Sequence, residues 1–248
     1  MASEACCTRP VAKADYTAKG EWIEVAGLKT YRTGASTASK AVIFIYDIFG
    51  FAPQSLQGAD ILAGVESEKG DVQVFIPDYL KGYHAQGAWF APDAAAELVA
   101  EKAKFFSSIG NFKDHVEQTR TLVSAISEKY PSVKSFGAIG LCWGAKTVSL
   151  VSGPGTPLKA GAEVHPSRVE AKDALDITIP ICILASNGEP ADEIQKFFEN
   201  LKTEKYVETF ADQHHGWMGA RANLKDERNK EEYERGYGIV IDFFHKHL

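Results

Sequence analysis

The sequence predicts an α/β fold with a mostly parallel sheet of about eight strands, covered by helices on both faces. Short apolar segments alternate along the chain with segments of helical periodicity, which is typical of strand–helix–strand units. Several of these segments, such as "AVIFIYD" at 41–47, are apolar at successive positions. Strands that are buried on both faces of a parallel sheet have this pattern.

The strands are predicted from turn residues that bound each apolar segment. The opening segment "EWIEVAGLKTYRTG" (21–34) contains two short strands around Gly27, a pattern typical of an antiparallel hairpin. Six later strands are predicted at 41–47, 71–78, 134–141, 159–166, 179–186 and 205–212.

Helical periodicity predicts helices at 112–130, 192–202 and 225–248, and Pro131 ends the first of them. Residues 79–110 begin with Gly and aromatic residues and then become helical. Because open α/β sheets bind ligands at the carboxyl ends of their strands, we interpret this segment as a cap or pocket wall over that edge.

The chain is predicted to form one domain. Its 248 residues, 45% hydrophobic and 24% charged, are enough for one large core. We place a single domain at 21–248, preceded by a polar N-terminal leader at 1–20 that can be mobile.

Composition and charge favour small-molecule chemistry in the cytoplasm. The net charge of −6 and the absence of a Lys/Arg stripe argue against a nucleic-acid partner. The N-terminus lacks a secretory apolar segment, and no apolar run approaches the roughly 18 residues of a membrane span. We expect a monomer or a dimer.

The cysteines and histidines do not predict a disulfide framework or a metal site. The four cysteines are few and scattered, and no CxxC or HExxH motif is present. Cys6 and Cys7 lie in the leader, and Cys182 is interpreted as a buried, inert thiol. The three histidines at 84, 115 and 165 are interpreted as surface or hydrogen-bonded core residues.

The motif "GLCWG" (140–144) fits Gly-x-nucleophile-x-Gly, the pattern of a nucleophile elbow between a strand and a helix. Gly140 and Gly144 leave room for the tight turn, and Cys142 occupies its apex. The following helix N-terminus favours the thiolate. A small cysteine that only packs between strand and helix is the alternative interpretation.

Two backbone amides are predicted to stabilise an oxyanion. The first is that of Trp143, directly after the nucleophile. The second is expected from the loop after the strand at 41–47, where Ile48 is our choice.

An acid and a histidine follow later strands in the order found in α/β-hydrolases. Glu189 and Asp192 follow the strand at 179–186, and His214 and His215 follow the strand at 205–212. Asp192 has an alternative role as the N-cap or first-turn acid of the next helix.

Four motifs occur in order within residues 21–248, namely "YDIFGF", "FIPDYLKG", "GLCWG" and "HHGW". Together they resemble those of the dienelactone hydrolase family, including its fungal members. The resemblance implies a single α/β-hydrolase domain in which a Cys-His-Asp triad opens lactones or esters through an acyl-thioester, without metal or organic cofactor.

The same resemblance assigns roles to individual residues. It makes Cys142 the nucleophile and His215 the base, and it matches Asp47 to an acid that interacts with the resting nucleophile. Asp47 could alternatively be a strand-end acid that bonds nearby amides. Arg221 is the nearest match to an arginine that binds a substrate carboxylate in some members, although it is displaced from the family position.

The triad acid departs from the family pattern because "ASNGEPADE" is short. Counting from Pro180 without gaps selects Glu189, whereas a gapped count selects Asp192. We favour Glu189, since a glutamate can still bond the imidazole.

The sequence therefore predicts a cysteine hydrolase acting on a small lactone or activated ester. Two alternatives stay open. One is a thioesterase or acyl transferase that uses the same triad. The other is a non-catalytic, redox-sensing scaffold in which Cys142 is oxidised.

Overall fold

A computed structural model describes residues 11–65 and 71–248 of the chain. Its eight strands are β1 (Glu21–Val25), β2 (Leu28–Thr33), β3 (Lys40–Ile45), β4 (Val72–Pro77), β5 (Ser135–Leu141), β6 (Ala160–Val164), β7 (Ile181–Ser186) and β8 (Lys205–Phe210). Each coincides with a segment that the sequence predicts to be a strand.

The strands form one sheet in the order β1-β2-β4-β3-β5-β6-β7-β8. β2 pairs antiparallel with both β1 and β4, and all the remaining pairs are parallel. The predicted mostly parallel sheet with an antiparallel start is confirmed. The parallel strands β3 to β8 bring their carboxyl ends to one edge, where ligands bind in such sheets.

Six α-helices connect or follow the strands in the described part of the chain. They are α1 (Pro53–Leu62), α2 (Ala96–Ser108), α3 (Phe112–Lys129), α4 (Trp143–Val151), α5 (Ala191–Asn200) and α6 (Glu227–His247).

These helices cover both faces of the sheet. From β3 to β4 the chain moves in one direction across the sheet, whereas from β4 through β5 to β6 it moves in the other. Because parallel crossovers are right-handed, α1 lies on the face opposite α3 and α4. α6 packs on α1, and α3 packs on α4. The predicted helices on both faces are therefore confirmed.

Residues 11–20 contact the domain. The Ala12 amide donates to the Ala220 carbonyl at 3.1 Å, and the Tyr16 hydroxyl donates to Asp60 at 2.7 Å. The Gln54 side-chain amide donates to both Ala12 and Ala222. The expected boundary at residue 20 stays a prediction, and Cys6 and Cys7 lie outside the described residues.

Residues 79–110, which we call the cap, contain a 3₁₀ helix at Gly87–Phe90 followed by α2. Phe105 is the one fully buried residue of α2, and the rest of that helix is exposed or half-buried. Its ring contacts those of Tyr83 and Trp89, with centroids 5.3 Å away in both cases. The cap is thus held by a small aromatic cluster of its own.

Candidate active site

Cys142 occupies a tight turn between β5 and α4. Its φ of 52° and ψ of −109° are unusual for a residue other than glycine, and strained backbone of this kind concentrates at functional sites. A Cβ atom at Gly140 would overlap the carbonyl oxygen of Gly144, and one at Gly144 would overlap that of Ile45. Glycine is therefore required on both sides of the cysteine, as the elbow motif predicts.

The elbow is also held by the loop after β6. The Cys142 amide donates to the Val164 carbonyl, and the Ser167 amide donates to the Cys142 carbonyl, both at 3.0 Å. Cys142 is 3% exposed. Its backbone is thus fixed from two sides, with its side chain at the N-terminal end of α4.

Glu189 and His215 form a buried pair. His215 Nδ1 lies 2.6 Å from Glu189 Oε1, and the two side chains are 3% and 2% exposed. The Ser186 hydroxyl donates to the same carboxylate oxygen at 3.1 Å, and the Ser186 amide donates to the other oxygen. The end of β7 therefore positions the acid, and the acid orients the imidazole.

Asp192 lies apart from this pair. It is in the first turn of α5, its side chain is 72% exposed, and its carboxylate bonds Lys196 at 3.3 Å. Hydrogen bonding to the Lys196 ammonium lowers its pKa. Its position matches the first-turn role that the sequence allowed, and the structure brings Glu189 to the histidine instead.

The two adjacent histidines have different partners. His214 Nε2 lies 3.2 Å from the carbonyl oxygen of Arg221, whereas His215 turns to Glu189. The pair is consistent with the choice of His215 as the residue that meets the acid.

Asp47 joins the loop after β3 to the loop after β8. Its carboxylate accepts hydrogen bonds from the amides of Phe49 and Ala220, both at 2.9 Å. Burial raises the pKa of this carboxyl group, while the two amides and the charges of Arg221 and His215 oppose the rise. These contacts match the interpretation of Asp47 as a strand-end acid that bonds nearby amides.

The two residues predicted to donate oxyanion amides are both held in place. The Ile48 carbonyl accepts from the Ala85 amide at 2.8 Å, which ties this loop to the cap. The Trp143 indole donates to the Ile109 carbonyl at 3.1 Å, at the far end of the cap. The cap is therefore anchored on both predicted oxyanion residues.

Arg221 lies between the loop after β3 and the cap. Its guanidinium is 5.2 Å from the Phe49 ring centroid and 6.0 Å from that of Phe90, and the residue is 4% exposed. These cation–π contacts hold a positive charge beside the site.

His165 is a residue of the site that the sequence interpretation missed. It follows β6 at the carboxyl edge, is fully buried, and its ring centroid lies 5.1 Å from that of His215. Neither ring nitrogen has a hydrogen-bond partner on another described residue. His165 is thus a core histidine, as expected, but its ring lacks the hydrogen bonds to other described residues that a satisfied core histidine would make. The available signal was its position at the end of a strand next to the nucleophile strand.

Within residues 11–65 and 71–248, no group of three or more His, Cys, Asp or Glu residues is placed to hold a metal ion. No helix in these two ranges is both long and apolar enough to cross a membrane.

The sheet order, the strained turn after β5 and the acid and histidine after β7 and β8 define an α/β-hydrolase. Comparison with known proteins narrows this class. The model of the dienelactone hydrolase family matches residues 28–248. The chain belongs to the dienelactone hydrolase family and is an ester-bond hydrolase.

Individual relatives span nearly the whole chain. An uncharacterized AIM2 family protein of Schizosaccharomyces pombe is 33% identical over 236 residues, covering 93% of this chain and 92% of that protein. The carboxymethylenebutenolidase homolog of Homo sapiens is 22% identical over 243 residues, 94% of either chain. The crystal structure of a dienelactone hydrolase from Anabaena variabilis shares the fold, with a TM-score of 0.64, 13% identity and coverage of 92% and 97% of the two chains.

Proposed function

We propose that the protein is a cysteine hydrolase that cleaves a small lactone or activated ester through an acyl-thioester on Cys142. The observation that carries the proposal is the buried Glu189–His215 pair, because a carboxylate that fixes one imidazole nitrogen prepares the other for proton transfer. The carboxymethylenebutenolidase homolog among its relatives supports a lactone as the substrate class.

In the first step the Cys142 thiolate attacks the carbonyl carbon and a C–S bond forms. The amides of Ile48 and Trp143 donate hydrogen bonds to the oxyanion. The tetrahedral intermediate then collapses and the C–O bond to the leaving oxygen breaks. That oxygen takes a proton from His215 Nε2, while Glu189 stabilises the imidazolium before this transfer.

In the second step water releases the acyl group and regenerates the cysteine. A thioester is reactive toward water, so the acyl-enzyme can be hydrolysed in this step. The positive charge of Arg221, held between Phe49 and Phe90, favours substrates with an anionic group near the scissile bond.

The test is the steady-state hydrolysis of a chromogenic ester and of an unsaturated lactone by wild type and by Cys142→Ala. We expect Cys142→Ala to lose turnover by about 10³-fold or more while it keeps the wild-type circular dichroism spectrum. Cys182→Ala, which removes a thiol buried in β7, is the matched control and should retain activity. Equal rates for Cys142→Ala and wild type would sink the proposal.

A panel of acceptors distinguishes the related chemistries. Added thiols and alcohols that compete well with water for the acyl group would indicate acyl transfer. Turnover of no ester, together with oxidation of Cys142 by low peroxide, would indicate a redox-sensing scaffold.

A further inference from the structure

His165 combines three unusual features at one position. It is 0% exposed, its φ of 38° is in the left-handed region, and its ring lies against that of His215 at an interplanar angle of 69°. Its backbone amide donates to the Leu184 carbonyl at 2.7 Å, which fixes the residue between β6 and β7. The strained backbone thus places an imidazole beside the proposed base.

The ring nitrogens of His165 are polar groups that the described residues leave unsatisfied. A buried polar atom without a hydrogen bond is destabilising, so such atoms in native proteins usually bind something else. Burial lowers the pKa of His165 well below its usual range, and the charge of His215 lowers it further. The ring is therefore neutral, with one N–H donor and one bare acceptor nitrogen.

A small polar molecule that donates a hydrogen bond would satisfy this acceptor. Such a molecule must lie close to His215, because the two rings are in contact. In the proposed reaction water is that molecule, since it must reach His215 after the leaving group has gone.

We propose that His165 positions the hydrolytic water, accepting a hydrogen bond from it while His215 removes its other proton. This inference rests on the proposed function. With both hydrogens of the water directed to the two histidines, its oxygen lone pair faces the thioester carbonyl. His165 remains neutral throughout.

The water oxygen bonds to the acyl carbon, and one water proton moves to His215 Nε2. The tetrahedral intermediate collapses, the C–S bond breaks, and its electron pair returns to the sulfur of Cys142. The carboxylic acid leaves, and the thiolate and the imidazolium of His215 remain for the next cycle.

Because His165 is proposed to act only in the second step, its loss should slow deacylation and leave acylation unchanged. The experiment is rapid mixing of the full-length protein with a chromogenic ester, in which the burst reports acylation and the steady state reports deacylation. The variants are His165→Leu, which removes both nitrogens, and His165→Asn and His165→Gln, which keep an acceptor oxygen. Asparagine also tolerates the left-handed backbone.

For His165→Leu we expect an acylation rate within about threefold of wild type and deacylation slower by about tenfold or more. Intact-mass measurement should then show accumulated acyl-enzyme. At least one amide variant should recover deacylation. Added hydroxylamine, a strong nucleophile, should release the acyl group from His165→Leu and from wild type at similar rates.

Three results would overturn the inference. Acylation and deacylation slowed by the same factor would indicate a structural role, and slower acylation alone would indicate that His165 binds the substrate. Deacylation of His165→Leu at the wild-type rate would show that His165 does not position the hydrolytic water. A wild type that turns over the ester, carries no acyl group on Cys142 and forms no hydroxamate with hydroxylamine would instead refute the acyl-enzyme itself, so the two failures are distinguishable.

Discussion

The carboxyl edge of the sheet and the cap are built in different ways. At the edge, Cys142, Glu189 and His215 are 3%, 8% and 4% exposed and are held by hydrogen bonds from neighbouring strands and loops. The cap exposes most of α2 and depends on the packing of a few aromatic rings. The candidate catalytic residues are thus held by buried hydrogen bonds, whereas most of α2 in the cap makes few buried contacts. Substitutions in the two regions should therefore have separable effects.

The largest expected difference in activity and stability is between two Gly→Ala substitutions, one in the elbow and one in the cap. Gly144→Ala places a methyl group against the carbonyl oxygen of Ile45, whereas Gly87→Ala in the cap meets no atom within 4 Å. Because backbone cannot yield as a flexible side chain does, we expect Gly144→Ala to lose activity almost completely and to lower the free energy of unfolding by about 2 kcal/mol or more.

Urea denaturation and ester hydrolysis check this pair. Gly87→Ala should remain within about 0.5 kcal/mol of wild type, as surface substitutions usually do. Similar losses in both variants would mean that the elbow is no more constrained than the cap.

The next largest effect concerns the two acids after β7. Glu189→Gln keeps the size of the side chain but removes the charge that stabilises the His215 imidazolium, so we expect kcat/KM to fall by about 10²-fold or more. Asp192→Asn, the matched control, alters an exposed residue and should change kcat/KM less than about twofold.

We would measure kcat/KM of both variants with an ester substrate and verify folding by circular dichroism. A greater loss in Asp192→Asn than in Glu189→Gln would reassign the acid that orients the histidine.

The smallest effect on ester turnover is expected from Glu163, a buried residue on β6 that contacts α4. Glu163 on β6 is buried and accepts a hydrogen bond from the Ser149 hydroxyl at 2.7 Å, and burial raises its pKa to about 8. The folded protein therefore keeps this carboxyl protonated up to about pH 8, whereas the unfolded chain ionises near its ordinary value of 4.5. The contribution of Glu163 to stability is therefore fully present below about pH 4.5 and is lost as pH rises toward 8.

Glu163→Gln removes this titration and should flatten the decline. Urea denaturation of wild type and Glu163→Gln at pH 6 and pH 8.5 measures the decline in the free energy of unfolding. An unchanged pH dependence in Glu163→Gln would show that other groups cause the decline, and ester turnover at pH 7 should be altered less than about twofold.

The sequence was sufficient for the strands because their apolar runs and turn residues are local signals. It also placed Cys142, Glu189 and His215 at one edge, since parallel strands bring their carboxyl ends together. Helix α1 was not predicted, because Gln54, Ser55 and Asp60 are among its buried residues and blur the apolar stripe.

Other parts of the site depend on contacts distant in sequence. Sequence spacing allowed either Glu189 or Asp192 to be the acid that meets His215. The direction of the chain after β7 decides between them, and that direction is not evident from the sequence. The environment of His165 depends on burial by neighbouring strands and on the loop that carries His215. No local sequence pattern indicates that its ring has no hydrogen-bond partner on another residue in 11–65 or 71–248.

The most direct test of the central claim is labelling of the full-length protein with a thiol-directed acylating probe, followed by peptide mapping. Cys182 is an internal control, because burial raises the pKa of its thiol and keeps it unreactive. We expect an acyl group on the peptide that contains Cys142 and none on the peptide that contains Cys182, and we expect the Cys142 label to be lost in Cys142→Ala. Labelling at any other residue, with Cys142 unmodified, would contradict it.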